Sequence, residues 1–176
     1  MNLQKIFCGL KFIIYLAEMF FLYSAERFLI FKVGSFTVSV LLVVSLVVFV
    51  ALFEGEIFGF CFAFLGGFFL DFGFGVPVGI YASLMGLIGY AFGVLSNCFI
   101  NVNFLTAWLF SGFTGFLVLI LRLFSNYGGF GFWDVLTIGF NVYLPMIICT
   151  FLAAPFIILF NRLIFYYAWR QRGDSR

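Results

Sequence analysis

The stretch Phe64–Gly79, FLGGFFLDFGFGVPVG, decides how this chain is read. It holds one carboxylate, Asp71, between glycines and ahead of Pro77, and no other charge lies between Glu56 and Arg122. The apolar run before Asp71 reads as a short helix, Ile57 to Leu70, ending at Asp71. Gly73 and Gly75 open backbone conformations closed to other residues. Pro77 suits the first turn of a following helix, where its missing N–H costs nothing. An acid beside that helix start accepts unpaired N–H groups and complements the positive end of the dipole. The stretch therefore predicts helix, sharp reversal, helix, with Asp71 as the polar latch. The alternative is a direct role for Asp71 in binding a ligand or partner.

The rest of the chain matches this centre. Of 176 residues, 65% are hydrophobic and 9% charged, against about 25% charged in a soluble domain. Mean hydropathy is +1.23, so the bilayer is the expected solvent. In hydrocarbon only helices and closed barrels satisfy every backbone group. FTVSVLLVVSLVVFVALF, Phe36–Phe53, lacks the sustained alternation of a barrel strand. The expectation is a single all-α membrane domain of six transmembrane helices, at about 7–23, 35–53, 57–71, 77–95, 104–123 and 135–160, with a basic tail at 161–176. The turn between the fourth and fifth is SNCFINVN, Ser96–Asn103, rich in asparagine. Glycine-rich SNYGGFGFWD, Ser125–Asp134, is the next loop, with Asp134 as a cap of the sixth helix. Pro145 and Pro155 are expected to bend that helix. Lys11 and Glu18 interrupt the first span seven residues apart, on one stripe. Lys11 is expected to snorkel to the interface and Glu18 to face protein.

With six spans, both ends share a side. That side holds Lys5, Lys11, Arg162, Arg170, Arg172 and Arg176, and the other holds Arg27, Lys32 and Arg122. The bias places both termini in the cytoplasm. Tyr166, Tyr167 and Trp169 would form the inner aromatic belt, with Tyr127 and Trp133 in the outer one.

Several chemistries are not expected. Cys8, Cys61, Cys98 and Cys149 lie far apart and there is no histidine, so no metal or cofactor is predicted. The net charge of +2 offers no basic stripe for nucleic acid. Acid–base catalysis needs two titratable groups within reach. Asp71 has no evident partner, and Glu54 and Glu56 read as solvated acids at the other membrane face. Glu26 and Arg27 read as loop charges. The chain is therefore expected to be no enzyme.

Small residues recur four apart: Gly59, Ala63 and Gly67; Gly89 and Gly93; Ser111 and Gly115. Such spacing lets membrane helices approach closely. The faces near Gly67, Gly89 and Gly93 either pack the domain itself or receive a partner's helix.

The run from Gly59 to Gly93, GFCFAFLGGFFLDFGFGVPVGIYASLMGLIGYAFG, resembles the core of the MreD family of rod-shape-determining membrane proteins. The matching positions are Gly67, Leu70, Asp71, Gly75, Pro77 and Gly79. Pro155, the apolar stretch after it, Arg162 and the basic tail resemble that family's last helix. The strong match covers about a fifth of the chain, and the phenylalanine excess and charged first helix depart from the usual pattern. The resemblance implies a non-enzymatic adaptor of the bacterial elongation machinery in the cytoplasmic membrane. Its partner would be MreC, and through it MreB filaments, a RodA-type glycosyltransferase and a class B penicillin-binding protein. It also implies a fold similar to the substrate-binding subunits of energy-coupling-factor vitamin transporters. Such a subunit is the alternative function. Its A-x-x-x-A docking pattern is absent, because Ala17 is followed four residues later by Phe21.

Overall fold

The computed structural model describes residues 2–33, 36–74, 77–98, 103–127, 129 and 132–173. The chain is predominantly helical. Helix α1 spans Asn2–Phe28, and a ribbon of β1 (Ile30–Val33) and β2 (Phe36–Ser39) follows. Then come α2 (Leu42–Glu54), α3 (Glu56–Phe74), α4 (Ile80–Cys98) and α5 (Phe104–Tyr127). Helix α6 (Phe132–Ile138) passes through one π turn (Gly139–Tyr143) into α7 (Leu144–Gly173). Among the described residues, four helical stretches are long and apolar enough to cross a membrane: Glu56–Gly73, Ile80–Cys98, Phe104–Tyr127 and Val135–Leu163.

The second segment departs most from expectation. Residues 36–39 are not helical: β2 pairs antiparallel with β1, Val33 opposite Phe36 and Ile30 opposite Ser39. The signal lay in the sequence, where Gly34-Ser35 separates two runs rich in aromatic and β-branched residues, a pattern suited to a two-residue hairpin loop. Helix α2 keeps only 13 residues, roughly 20 Å at 1.5 Å per residue, short of the roughly 30 Å hydrocarbon core.

That short helix is the axis of the fold. Every residue from Leu42 to Leu52 is buried, and α1, α3, α4, α5 and α7 all pack against it. A helix apolar on every side belongs either in a core or in lipid. Polar contacts decide for the core. Ser111 on α5 donates to Ser45 at 2.9 Å. Thr150 on α7 accepts from the Leu41 N–H at 3.2 Å. At the far end, Lys11 and Tyr15 of α1 reach Glu54 Oε1 at 2.9 and 3.1 Å. Lys11 is thus ion-paired, and Glu54 is a part-buried partner rather than a solvated acid. Glu18 faces protein as expected, accepting from Asn161 Nδ2 on α7 at 2.6 Å.

A single residue, Gly55 at φ +94°, separates α2 from α3. Its carbonyl already accepts the first α3 bond, from Gly59 N–H at 2.8 Å. Glu56 opens α3 and accepts from Asn97 near the end of α4 at 3.1 Å. Other boundaries move too. Helix α4 begins at Ile80, leaving Pro77 outside it, and runs on through Ser96 and Asn97, which were expected in a turn. Helix α5 extends to Tyr127. Asp134 is the third residue of α6, inside its first turn rather than before it.

Pro155 lies inside α7. Its ring withholds the N–H that would bond the carbonyl of Phe151, four residues earlier. Trp108 Nε1 on α5 donates to that carbonyl at 2.9 Å, and the two rings stack at 4.6 Å. The π turn stands directly before Pro145, at the second position of α7. There the ladder has already shifted, with the Leu144 N–H reaching back five residues to the Gly139 carbonyl.

Candidate functional site

Asp71 sits in the last turn of α3 and is fully buried. Its Oδ2 accepts from the Gly79 N–H at 2.8 Å and the Ala82 N–H at 3.3 Å, and its Oδ1 from the Tyr81 N–H at 2.8 Å. Gly79 immediately precedes α4, and its carbonyl takes the first helical bond, from Ser83 N–H at 3.0 Å. Gly79 is therefore the N-cap position, with no side chain to cap with, at φ +112°. Tyr81 and Ala82 are the second and third helical residues, the donors an N-cap oxygen normally serves. Asp71 does that work from the preceding helix. The latch expected from the sequence is present, but its glycines divide differently. Gly79 supplies the unusual backbone. Gly73 is helical, and a Cβ on it would run into the Arg27 guanidinium. Gly75 lies outside the described residues.

The same device starts α2. Its N-cap, Leu41, makes no side-chain cap. Glu26 of α1 accepts from Val43 N–H, the second helical residue, at 2.7 Å. Glu26 was read as a loop charge; it is helical and buried, with 7% exposure. It lies past the expected 7–23 span, and burial pushes its carboxyl up to about 7 against the pull of its backbone bonds. Sequence reasoning missed it because its acceptors' partners are 17 residues away, beyond the reach of any capping motif.

The small-residue positions meet between α3 and α4. A Cβ on Gly67 would strike the Tyr81 carbonyl oxygen and lie 2.6 Å from Ala82 Cα. One on Gly89 would lie 2.5 Å from the Gly59 carbonyl oxygen, and one on Gly93 2.5 Å from Glu56 Cα. Gly67, Gly89 and Gly93 thus face α3–α4 backbone within the chain itself. Leu70 is buried beside Asp71, at 1% exposure.

Polar contacts mark both ends of the bundle. Glu26, Asp71 and Gly79 mark the end where α2 and α4 start; Lys11, Glu54, Glu56 and Asn97 mark the other. At the first end a cavity of about 140 Å³ is lined by residues including Tyr23, Glu26, Arg27, Ser39 and Arg122. A wider cleft of about 570 Å³ between α5 and the α6–π–α7 run is lined almost wholly by apolar side chains. Comparison with protein-family models, with curated proteins and with solved structures returned no match.

Proposed function

We propose that this chain is a six-span, non-enzymatic membrane adaptor of the MreD type, lying in a bacterial cytoplasmic membrane with both termini cytoplasmic and binding MreC. The observation that supports this reading best is the joint between α3 and α4. Gly67, Leu70, Asp71 and Gly79, members of the run on which the resemblance rests, each carry a distinct task there: close approach, burial, cap and turn. A shared run of such residues is what a shared joint would require. Two crossings beyond the four long apolar helices are read into α1 and α2. Lys11 and Glu26 of α1 bond opposite ends of α2, so the two helices run side by side.

Connections this short leave little surface outside the bilayer, so MreC would be held by helix packing and a few polar contacts. Co-expression with affinity-tagged MreC tests the reading. The chain is expected to copurify through detergent extraction and size exclusion. Its absence from the MreC fraction, with both proteins folded, would reject the adaptor.

One observation favours the second reading, a vitamin-transporter substrate-binding subunit: the 140 Å³ cavity at the end bearing the Asp71 turn. A thermal-shift screen against water-soluble vitamins separates the two readings. The adaptor predicts no specific shift.

A further inference from the structure

We infer that Glu18 of α1 and Asn161 of α7 form a proton-binding site inside the bundle, with the proton on Glu18 Oε2 and shared with Asn161 Oδ1. The inference needs α1 in the bilayer and goes beyond the adaptor reading; its test does not involve MreC.

Depth comes first. Glu18 lies seven residues after Lys11 and eight before Glu26, roughly 10–12 Å from each along the helix at 1.5 Å per residue. Lys11 and Glu26 bond opposite ends of α2, so Glu18 stands midway between the two polar ends. An acid at that depth is costly and points to a function. Its bonds are then counted. Asn161 is fully buried, and its Nδ2 donates to Glu18 Oε1 at 2.6 Å and to the Ile157 carbonyl at 3.0 Å. Both neighbours of that atom are acceptors, so it is the amide nitrogen and Oδ1 is the oxygen. The other two atoms, Glu18 Oε2 and Asn161 Oδ1, are buried and have no hydrogen-bond partner among the described residues.

Ionised, Glu18 is an acceptor only, and both oxygens stay orphaned. A proton on Oε2 makes it a donor, and the orphaned Oδ1 belongs to the same amide that already bonds Oε1. Carboxylic acid and carboxamide are planar groups with two polar atoms each, so one proton completes the pairing. No neighbouring cation removes the need for it. Lys11 and Tyr15 on α1 are both bonded to Glu54, which is the acid α2 contributes. Glu56 and Asp71 lie at the ends of α3, bonded to α4, and Cys61 between them is exposed. Arg162, beside Asn161 on α7, is exposed. Among the described residues none forms an ion pair with Glu18. Burying an unpaired carboxylate costs far more than burying the neutral acid.

The test uses the full chain in liposomes at neutral pH, read by infrared spectroscopy. Subtracting the spectrum of Glu18→Gln from that of wild type removes Glu26 and every other acid from the reading. The difference is expected to show a carboxylic acid C=O band and no carboxylate bands. Glu18→Gln is expected to fold, because its amide N–H₂ takes the proton's place opposite Oδ1. Asn161→Leu removes the acceptor and should move the acid band to higher frequency; Asn161→Ala gives the same readout if Asn161→Leu does not fold. Carboxylate bands in the difference spectrum would overturn the site, since a water or a metal cation between an ionised Glu18 and Asn161 would produce them. An acid band that stays in place without Asn161 would overturn the shared proton.

Discussion

Asp71→Ala is expected to destabilise the protein by roughly 3–5 kcal/mol, lowering its apparent melting temperature in detergent by on the order of 10 °C. Three backbone N–H groups lose their acceptor at once, and two of those bonds are buried. An orphaned buried donor costs about 1–3 kcal/mol. Gly79 has no side chain to take over, and water has no ready path to a residue with no exposed surface. Asp71→Asn keeps one acceptor oxygen but turns an N–H₂ group towards the remaining donors, so it should fall between wild type and alanine. A melting temperature for Asp71→Ala within a degree of wild type would show that the acid does not hold the turn.

Gly67→Ala should cost about 3 kcal/mol, a large effect for one methyl group. The new carbon meets the Tyr81 carbonyl and the Ala82 Cα, all main chain, so nothing can rotate aside. Helix α4 would have to retreat from α3, and the Asp71 bonds to Tyr81 and Ala82 would lengthen with it. The contrast is Gly115→Ala on α5. Its nearest neighbour would be Thr150 Cγ2 at 3.4 Å, and alanine gains up to about 1 kcal/mol over glycine inside a helix. Gly115→Ala should therefore be neutral or stabilising. Equal effects of the two substitutions would mean that α3 and α4 are not in backbone contact.

These effects follow from features the sequence makes readable to different degrees. Hydropathy locates the long apolar helices because the bilayer imposes length and composition together. The Asp71 latch is readable because acid, glycines and proline lie within nine residues. The place of α2 is not. In lipid, a helix facing acyl chains and one facing protein are equally apolar, so the Val-rich run at 42–52 does not reveal that it is the centre. The cap from Glu26, the Ser45–Ser111 bond and the Trp108 bond to the Phe151 carbonyl pair residues 17, 66 and 43 positions apart. No local pattern encodes such pairings. The ribbon at Ile30–Ser39 was readable, but the apolar continuity of Phe36–Phe53 masked its alternation.

The account rests on α3 and α4 forming a hairpin through the bilayer, with the Asp71 turn at one face and the Glu56–Asn97 contact at the other. Cysteine labelling in intact cells tests this most directly. Cys8, Cys61, Cys98 and Cys149 are first replaced by serine, and one cysteine is then returned, at exposed Val78 or at exposed Cys98. A membrane-impermeant maleimide is predicted to label position 78 in intact cells and position 98 only after permeabilisation. Labelling of both positions from the same side would contradict the hairpin and the topology built on it.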